Sequence, residues 1–331
     1  MEKPTLTDYV HVICTLFNKF VQVEPQYESK RYSYSNQRML IFFVLMQYRR
    51  IFQFKTQRCW LEQHPDLVKQ LGWSTIPHRI TLARRYRELY TLLQAFVQFI
   101  GQDVESLDVH LRQQHLVEDK SLFKAQGPVW HQSDREAERI PKKLRKLDTE
   151  ASWSKSGYHG WVYGYGLHLT CNQAAFPALV QVETASVAET TVIDQKATLI
   201  LDILQPTTLS ADNGYAKAAR IRRWAKQGVV LLTPAAKWQN GRYAKAYHRY
   251  RKQPANARCL HKRRTAIEPL FDLVAKVLGT TAQQKQLPVQ HLDNVRTCLA
   301  LATFSVQISM IVNSLWGLPL RNISTMSVAF T

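Results

Sequence analysis

The chain has 331 residues, of which 45% are hydrophobic, and its formal net charge is +19 at pH 7. A chain of this length and apolar content can bury a large core, which excludes wholesale disorder. The charge favours an acidic partner. Nucleic acid is the commonest one, and the alternatives are an anionic membrane surface or an ordinary enzyme with a basic surface.

The five cysteines predict neither a disulfide framework nor a zinc site. They are odd in number and scattered, so we expect reduced thiols in a cytosolic protein. The start of the chain lacks the pattern of a secretion signal. The longest apolar stretches, Met39–Met46 and Leu299–Leu318, are short or broken by polar residues, so both predict buried helices rather than membrane spans.

Residues 1–105 are expected to form a helical domain. Apolar positions recur at helical spacing through Tyr9–Phe20, Gln37–Phe54 and Ile80–Ile100. Between the last two, Leu71–Pro77 contains a glycine turn followed by residues that often begin a helix. The next helix is basic, and its arginines are Arg79, Arg84, Arg85 and Arg87. This order resembles a helix-turn-helix DNA reader, a pattern that many helical hairpins share.

Residues 106–331 are expected to form a mixed α/β domain. Short β-like runs bounded by glycine or proline alternate with helical stretches. The β-like runs are Gln114–Phe123, Gly160–Cys171, Pro177–Thr184, Thr207–Ala211 and Val229–Thr233, and the helical stretches are Glu189–Leu204, Ala216–Gln227 and Thr265–Leu278. Three antiparallel strands followed by alternating helices and strands match the ribonuclease-H-like fold. Apolar helix at Val289–Leu315 is expected to pack on the sheet or on the N-terminal domain.

The stretch from Asn213 to Ile267 is the most informative part of the sequence. Its 55 residues include no Asp or Glu and 15 Lys or Arg. Because a solvated surface normally mixes charges of both signs, a one-signed run of this length indicates an external anion such as phosphate. The alternative is a locally basic surface without a ligand.

Two carboxylates bracket this basic stretch. Asp212 follows a predicted strand, where α/β sheets usually place their sites, and Glu268 lies in the first turn of a predicted helix. Each residue taken alone can be explained without a metal. An Asp after a strand often caps a turn, and a Glu near the start of a helix often interacts favourably with the helix dipole. Their pairing across an acid-free basic stretch favours a metal site.

A site with two metal ions needs a further carboxylate from a neighbouring strand. Asp119 lies within the first β-like run, which would set it beside the strand that leads to Asp212. Asp134 and Asp148 fall in a polar stretch that predicts a surface loop, and Asp108 is expected near the end of the helical region. We therefore predict Asp119 as the first carboxylate.

These residues lie in motifs that resemble those of DDE transposases from bacterial insertion sequences. Ala211–Tyr215 is similar to the second-aspartate motif, Arg263–Phe271 to the glutamate motif, and Val117–Ser121 to the first-aspartate motif. Gly160–Leu169 resembles the second strand of that family. The chain has Lys120 where the family usually has a small residue. In the glutamate helix it has Arg264 at the arginine position, His261 at the tyrosine position, and Lys276 one residue beyond the lysine position.

The resemblance implies a transposase that cleaves the ends of its element and joins them to target DNA. Asp119, Asp212 and Glu268 would hold two Mg²⁺ ions, for which Mn²⁺ can substitute. The partner would be double-stranded DNA and not a membrane, in the cytoplasm on the nucleoid. A homodimer is expected in the DNA complex, because two ends must meet. The residues expected to bind DNA phosphates are Lys262, Arg263, Arg264, Arg220, Arg222 and Arg223.

Two competing interpretations remain open. One is a nuclease or resolvase of the same fold, which would hydrolyse DNA without joining it. The other is a DNA-binding protein whose catalytic centre has decayed, which the unusual Lys120 would suit. Trp224 and Trp238 could stack on an unpaired base, but core packing is the favoured interpretation, and His168 is expected to be structural.

Overall fold

The computed structural model describes residues 3–29, 33–103, 115–142, 144–157, 160–234 and 242–330. Three predictions concern residues outside these ranges: the domain boundary near residue 105, the alternative first aspartate Asp108, and the role of Trp238.

Within the described ranges, five α-helices precede the sheet. They are α1 (Leu6–Val23), α2 (Asn36–Tyr48), α3 (Phe54–Gln63), α4 (Pro65–Gln70) and α5 (Arg79–Asp103). Thr5 begins α1 with a capping box that it shares with Asp8. The predicted buried stretch Met39–Met46 lies in α2, and every one of its side chains is buried.

The predicted basic helix is α5, which follows a turn in which Gly72 has a φ of 66°. Arg85 is buried and donates to the Asn36 side chain and to the Tyr34 carbonyl. Arg79, Arg84 and Arg87 are exposed. A DNA contact by this region therefore remains a prediction, and of its four arginines the three exposed ones are available for it.

Among the described residues, six strands form the sheet: β1 (His115–Lys124), β2 (Ser152–Ser156), β3 (Gly160–Asn172), β4 (Pro177–Thr184), β5 (Thr208–Ser210) and β6 (Val230–Leu232). The strand β1 lies between β3, to which it is antiparallel, and β5, to which it is parallel. β3 also pairs with β2 and β4, and β6 runs parallel to β5. The predicted ribonuclease-H-like fold is confirmed. The short polar strand β2 was not predicted.

Helices flank this sheet: α6 (Gln132–Glu136), α7 (Glu189–Gln195), α8 (Ala218–Lys226), α9 (Arg242–Arg251), α10 (Pro254–Val277), α11 (Leu292–Leu315) and α12 (Ser324–Phe330). The predicted helix Glu189–Leu204 is divided into α7 and a π-helical turn, Leu199–Leu204. The predicted helix Thr265–Leu278 begins earlier than expected, because α10 starts at Pro254, and α9 was not predicted. Glu268 therefore lies in the middle of a helix and not in its first turn. Basic residues dominate this part of the sequence, so few apolar positions mark the buried faces of these helices.

Pro269 lies inside α10 and lacks the N–H that would bond to the Thr265 carbonyl. The Arg321 guanidinium donates to that carbonyl from 3.4 Å. This contact satisfies the group that the proline leaves free, so α10 continues past Pro269 into its apolar half.

One core joins the N-terminal helices, the sheet and the C-terminal helices. Within the described ranges, one helix, α11, is long and apolar enough to cross a membrane, but 89% of its apolar window is buried. Gln307 on α11 donates to the carbonyls of Val97 on α5 and Pro177 on β4. The helix α11 is therefore a core element, as predicted for Leu299–Leu318.

Candidate active site

The central strand β1 carries Asp119. Its side chain is 21% exposed, and Arg263 donates to its Oδ2 from 3.1 Å. The backbone N–H of Lys120 donates to Oδ1 from 2.8 Å. Asp119 is therefore held on both carboxylate oxygens.

Asp212 follows β5, the parallel neighbour of β1. Val117 pairs with Ser210 in this ladder, and Asp119 and Asp212 each lie two residues farther along their strands. Because side chains alternate along a strand, this register brings both carboxylates to the same edge and face. The Gly214 N–H donates to Asp212 Oδ1 from 2.7 Å, which begins the short 3₁₀ turn Asn213–Tyr215.

Glu268 lies on α10, the helix that packs against β1. Ile267, Leu270 and Phe271 form the buried side of this helix, which leaves the Glu268 side chain 65% exposed. Among the residues that the structure describes, its carboxylate makes one ion pair, a loose one with Arg264 Nε at 3.9 Å. Glu268 is therefore directed into solvent beside the sheet edge.

The three predicted carboxylates line one cleft of about 840 Å³. Strand β1, the turn after β5 and helix α10 each supply one of them. The charged residues that line the cleft are Asp119, Lys120, Lys155, Glu189, Asp212, Arg264, Glu268, Asp272 and Lys285.

Burial in this cleft, more than its negative charge, changes the protonation of Asp119. Burial, with smaller contributions from Asp212 and Glu189, raises the pKa of Asp119 to about 7, although Arg263 and the Lys120 N–H act in the opposite direction. Burial and Asp212 also raise the pKa of Glu189, while the Lys120 ammonium lowers it. Burial and the neighbouring carboxylates thus disfavour the ionised forms of Asp119 and Glu189, and an added cation would stabilise them.

The carboxylates are not already arranged as a ligand set. In the parts of the chain that the structure describes, no three Asp, Glu, His or Cys side chains lie close enough together to hold a metal ion. Arg263 occupies one oxygen of Asp119, and Glu268 is turned toward solvent.

Three cleft residues were not singled out as functional by the sequence. Glu189 begins α7 beside Asp212. The Lys120 ammonium donates to the carbonyls of Ala185 and Val187, at 2.8 and 2.9 Å. Lys285 donates to the Ser121 hydroxyl from 2.7 Å. No local motif marks Glu189 or Lys285, because their partners are distant in sequence.

Two of the six predicted phosphate-binding residues face the interior. Arg263 is 6% exposed and pairs with Asp119, while Arg220 is 2% exposed and pairs with Asp194. Their burial contradicts the prediction that they contact DNA, because their donors are already used within the protein. The four that remain exposed are Arg222, Arg223, Lys262 and Arg264.

Replacing Arg220 with alanine should lower the free energy of unfolding by about 1–3 kcal/mol, because it would remove a buried guanidinium and leave the buried Tyr215 carbonyl without its donor. Arg220 donates to Asp194 and to the carbonyls of Tyr215 and Thr190. Urea unfolding measures the change, with Arg222→Ala, an exposed neighbour on the same helix, as the control expected within about 0.5 kcal/mol of wild type. Equal stabilities of the two variants would contradict this role.

The remaining aromatic and histidine predictions concern the interior. Trp224 is fully buried, which confirms core packing over base stacking. His168 is also fully buried, and burial with nearby Lys196 and Lys120 lowers its pKa to about 2. It is therefore a neutral core residue, as predicted.

Comparison with known proteins agrees with this geometry. Residues 111–289 match the family described as the transposase DDE domain. The match covers more than half of the chain and includes all three predicted carboxylates. No curated protein is similar enough in sequence to match.

Proposed function

The chain belongs to the DDE transposase family, and from this we propose that it cleaves the ends of an insertion sequence and joins them to target DNA. The observation that carries this proposal is the β1–β5 register, which sets Asp119 beside Asp212. Glu268 faces the same cleft from α10. Three carboxylates from three elements at one sheet edge suit phosphodiester hydrolysis followed by transesterification.

The donor set fits two Mg²⁺ ions, with Mn²⁺ as a substitute, because carboxylate oxygens are the ligands that these hard cations prefer. Asp119, Asp212 and Glu268 would hold them. The chemistry that such ions supply is activation of the attacking oxygen and stabilisation of the leaving oxygen. Arg263 would have to release Asp119 Oδ2, since that oxygen is engaged in an ion pair. The protein itself contributes position and charge.

Exposed cations supply the expected contact with double-stranded DNA. Lys262 and Arg264 lie on α10 within the two turns before Glu268, where they can hold the backbone near the cleft. Arg222 and Arg223 on α8 would extend this surface. The Arg222 guanidinium stacks over the exposed ring of Tyr243, 5.7 Å from its centroid. We further propose that the protein acts on the nucleoid in the cytoplasm, and as a homodimer when two ends are joined.

Cleavage should lose about tenfold in rate between pH 8 and pH 6 when Mg²⁺ is subsaturating. The pKa of Asp119 is raised to about 7, so its carboxylate dominates at pH 8 and is about one-tenth ionised at pH 6. Protonation removes a metal ligand, so the rate falls as pH falls. Initial rates over this range test it, with DNA binding in EDTA as the control. A flat rate profile would contradict the assignment.

Strand transfer tests the proposed function itself. A duplex that carries the element's end with a free 3′-hydroxyl should be joined to a target plasmid in Mg²⁺ or Mn²⁺ but not in EDTA. Cleavage of an uncut end without any joining would instead indicate a nuclease or resolvase. DNA binding without either product would indicate a decayed or repurposed protein, which the ion pair between Arg263 and Asp119 would suit.

A further inference from the structure

A fourth carboxylate, Glu189, lies against the turn that carries Asp212. A Cβ atom at position 214 would collide with Glu189 Oε2 and would lie 3.0 Å from Asp212 Oδ1. Glycine at this position lets both carboxylates lie against the turn without either side chain having to move. The glycine of Asp212-Asn213-Gly214-Tyr215 therefore serves a close approach, since its φ is not in the left-handed region.

The approach of Glu189 is built into the fold. Lys120 donates to the carbonyls of Ala185 and Val187, which immediately precede α7. Glu189 is the first residue of that helix. Lys120, the residue that departs from the usual motif, thus anchors the segment that brings Glu189 to Asp212.

The side chain of Tyr215 gives an independent indication of a ligand. Its side chain is fully buried, and its hydroxyl has no hydrogen-bond partner among the described residues. Burial raises the pKa of this hydroxyl most, followed by Glu118 on the core side of β1 and then by the cleft carboxylates Asp119, Glu189 and Asp212. A buried hydroxyl without a partner is unfavourable, so a nearby carboxylate that turned toward it would stabilise it.

We propose that Glu189 is a fourth carboxylate of the metal centre and that it holds a divalent cation together with Asp212. Tyr215 is a positioning residue, whose hydroxyl donates to the carboxylate oxygens that turn when the cation binds. This inference rests on the proposed function, because it assigns a further residue to the same centre. It also accounts for Glu189 lying in the cleft with Asp119, Asp212 and Glu268.

The test is a titration of the full chain with Mn²⁺ in the absence of DNA. The electron paramagnetic resonance signal of free Mn²⁺ measures how much of the ion remains unbound. Glu189→Gln should weaken binding by about 10- to 100-fold, the range found when groups that support a metal site are removed. The matched control is Asp272→Asn, which removes the same charge from the same cleft. Measured at about 0.5 M salt, where long-range fields are screened, the control should change binding less than about threefold.

The variant Tyr215→Phe tests whether the Tyr215 hydroxyl positions the metal-binding carboxylates or whether the side chain only packs in the core. Because the hydroxyl has no partner, its loss should leave thermal stability unchanged or raise it while weakening Mn²⁺ binding by about 3- to 10-fold. Circular dichroism and thermal unfolding establish that each variant is folded.

The outcomes distinguish this inference from the proposed function. Suppose that Asp212→Asn no longer binds Mn²⁺ and that a folded Glu189→Gln binds it as tightly as wild type. Glu189 is then not a ligand of the metal centre, whereas the proposal of a metal centre at Asp212 is supported. If Glu189→Gln and Asp272→Asn weaken Mn²⁺ binding equally, the loss of affinity comes from the lost negative charge alone, and the inference is overturned. A wild-type chain that binds no Mn²⁺ would overturn both.

Discussion

Replacing Lys196 with methionine is expected to lower the free energy of unfolding by about 3–5 kcal/mol. The Lys196 ammonium is buried and lies 2.9 Å from Glu118 Oε1, whose side chain is also fully buried. It also donates to the His168 carbonyl. Burial already raises the pKa of Glu118, and without Lys196 its charge would have no ionic partner in the core.

Urea unfolding measures this loss, and a double variant is its control. Lys196→Met combined with Glu118→Leu removes both charges, so it should be close to wild type or more stable. At pH 5 the single variant should lose less free energy of unfolding than at pH 8, because the Glu118 carboxyl, whose pKa is raised, accepts a proton more readily at the lower pH. A single variant within about 1 kcal/mol of wild type at pH 8 would contradict the buried pair.

Gly214→Ala should reduce the rate of DNA cleavage by about 10- to 100-fold with little change in stability. The new Cβ would meet Glu189 Oε2 and crowd Asp212 Oδ1. Glu189 has a flexible side chain that can turn away, so the fold survives while the carboxylates move apart. Displacements of about 1 Å at a reacting centre cost rates of this order.

The control for this prediction is Gly157→Ala. Gly157 lines the same cleft, but none of the described atoms lies within 4 Å of a Cβ placed there. It should therefore cleave DNA at close to the wild-type rate. Cleavage and thermal unfolding are measured for both variants. Equal rates for Gly214→Ala and Gly157→Ala would show that the close approach at position 214 has no role.

The strand β1 links the stability of the protein to its active site. Adjacent residues on a strand face opposite sides, so Glu118 points to Lys196 in the core and Asp119 points to the cleft. A carboxylate on each side of one strand requires a cation on each side. In this structure, Arg263 supplies the second one.

Much of the fold could be predicted from the sequence, because its elements carry local signals. Strands β3 and β4 are apolar runs bounded by turn residues, and their predicted bounds differ little from those observed. The strand β2 could not be found, since Ser152–Ser156 is short and polar and exists through its pairing with β3. The helix α9 was missed for a related reason, because Arg242–Arg251 is basic on most of its surface.

The site was predictable where function constrains neighbouring residues. Asp212 and Glu268 lie in recognisable motifs, whereas Glu189 reaches the site through the fold, from a position 23 residues before Asp212. The burial of Arg263 and Arg220 is indicated by their spacing from apolar residues on the same helix. Arg263 precedes Ile267 by four residues, and Arg220 precedes Trp224 by four, so each extends the apolar face of its helix.

The most direct test of the central claim is cleavage of a duplex that carries the element's own end, in Mg²⁺, Mn²⁺ or EDTA. Wild type would be compared with Asp119→Asn, Asp212→Asn and Glu268→Gln. We expect metal-dependent nicking at the end that is lost in all three variants while each still binds the duplex. Nicking that persists in any one of them, at the wild-type rate, would contradict the assignment of these three carboxylates to a single metal centre.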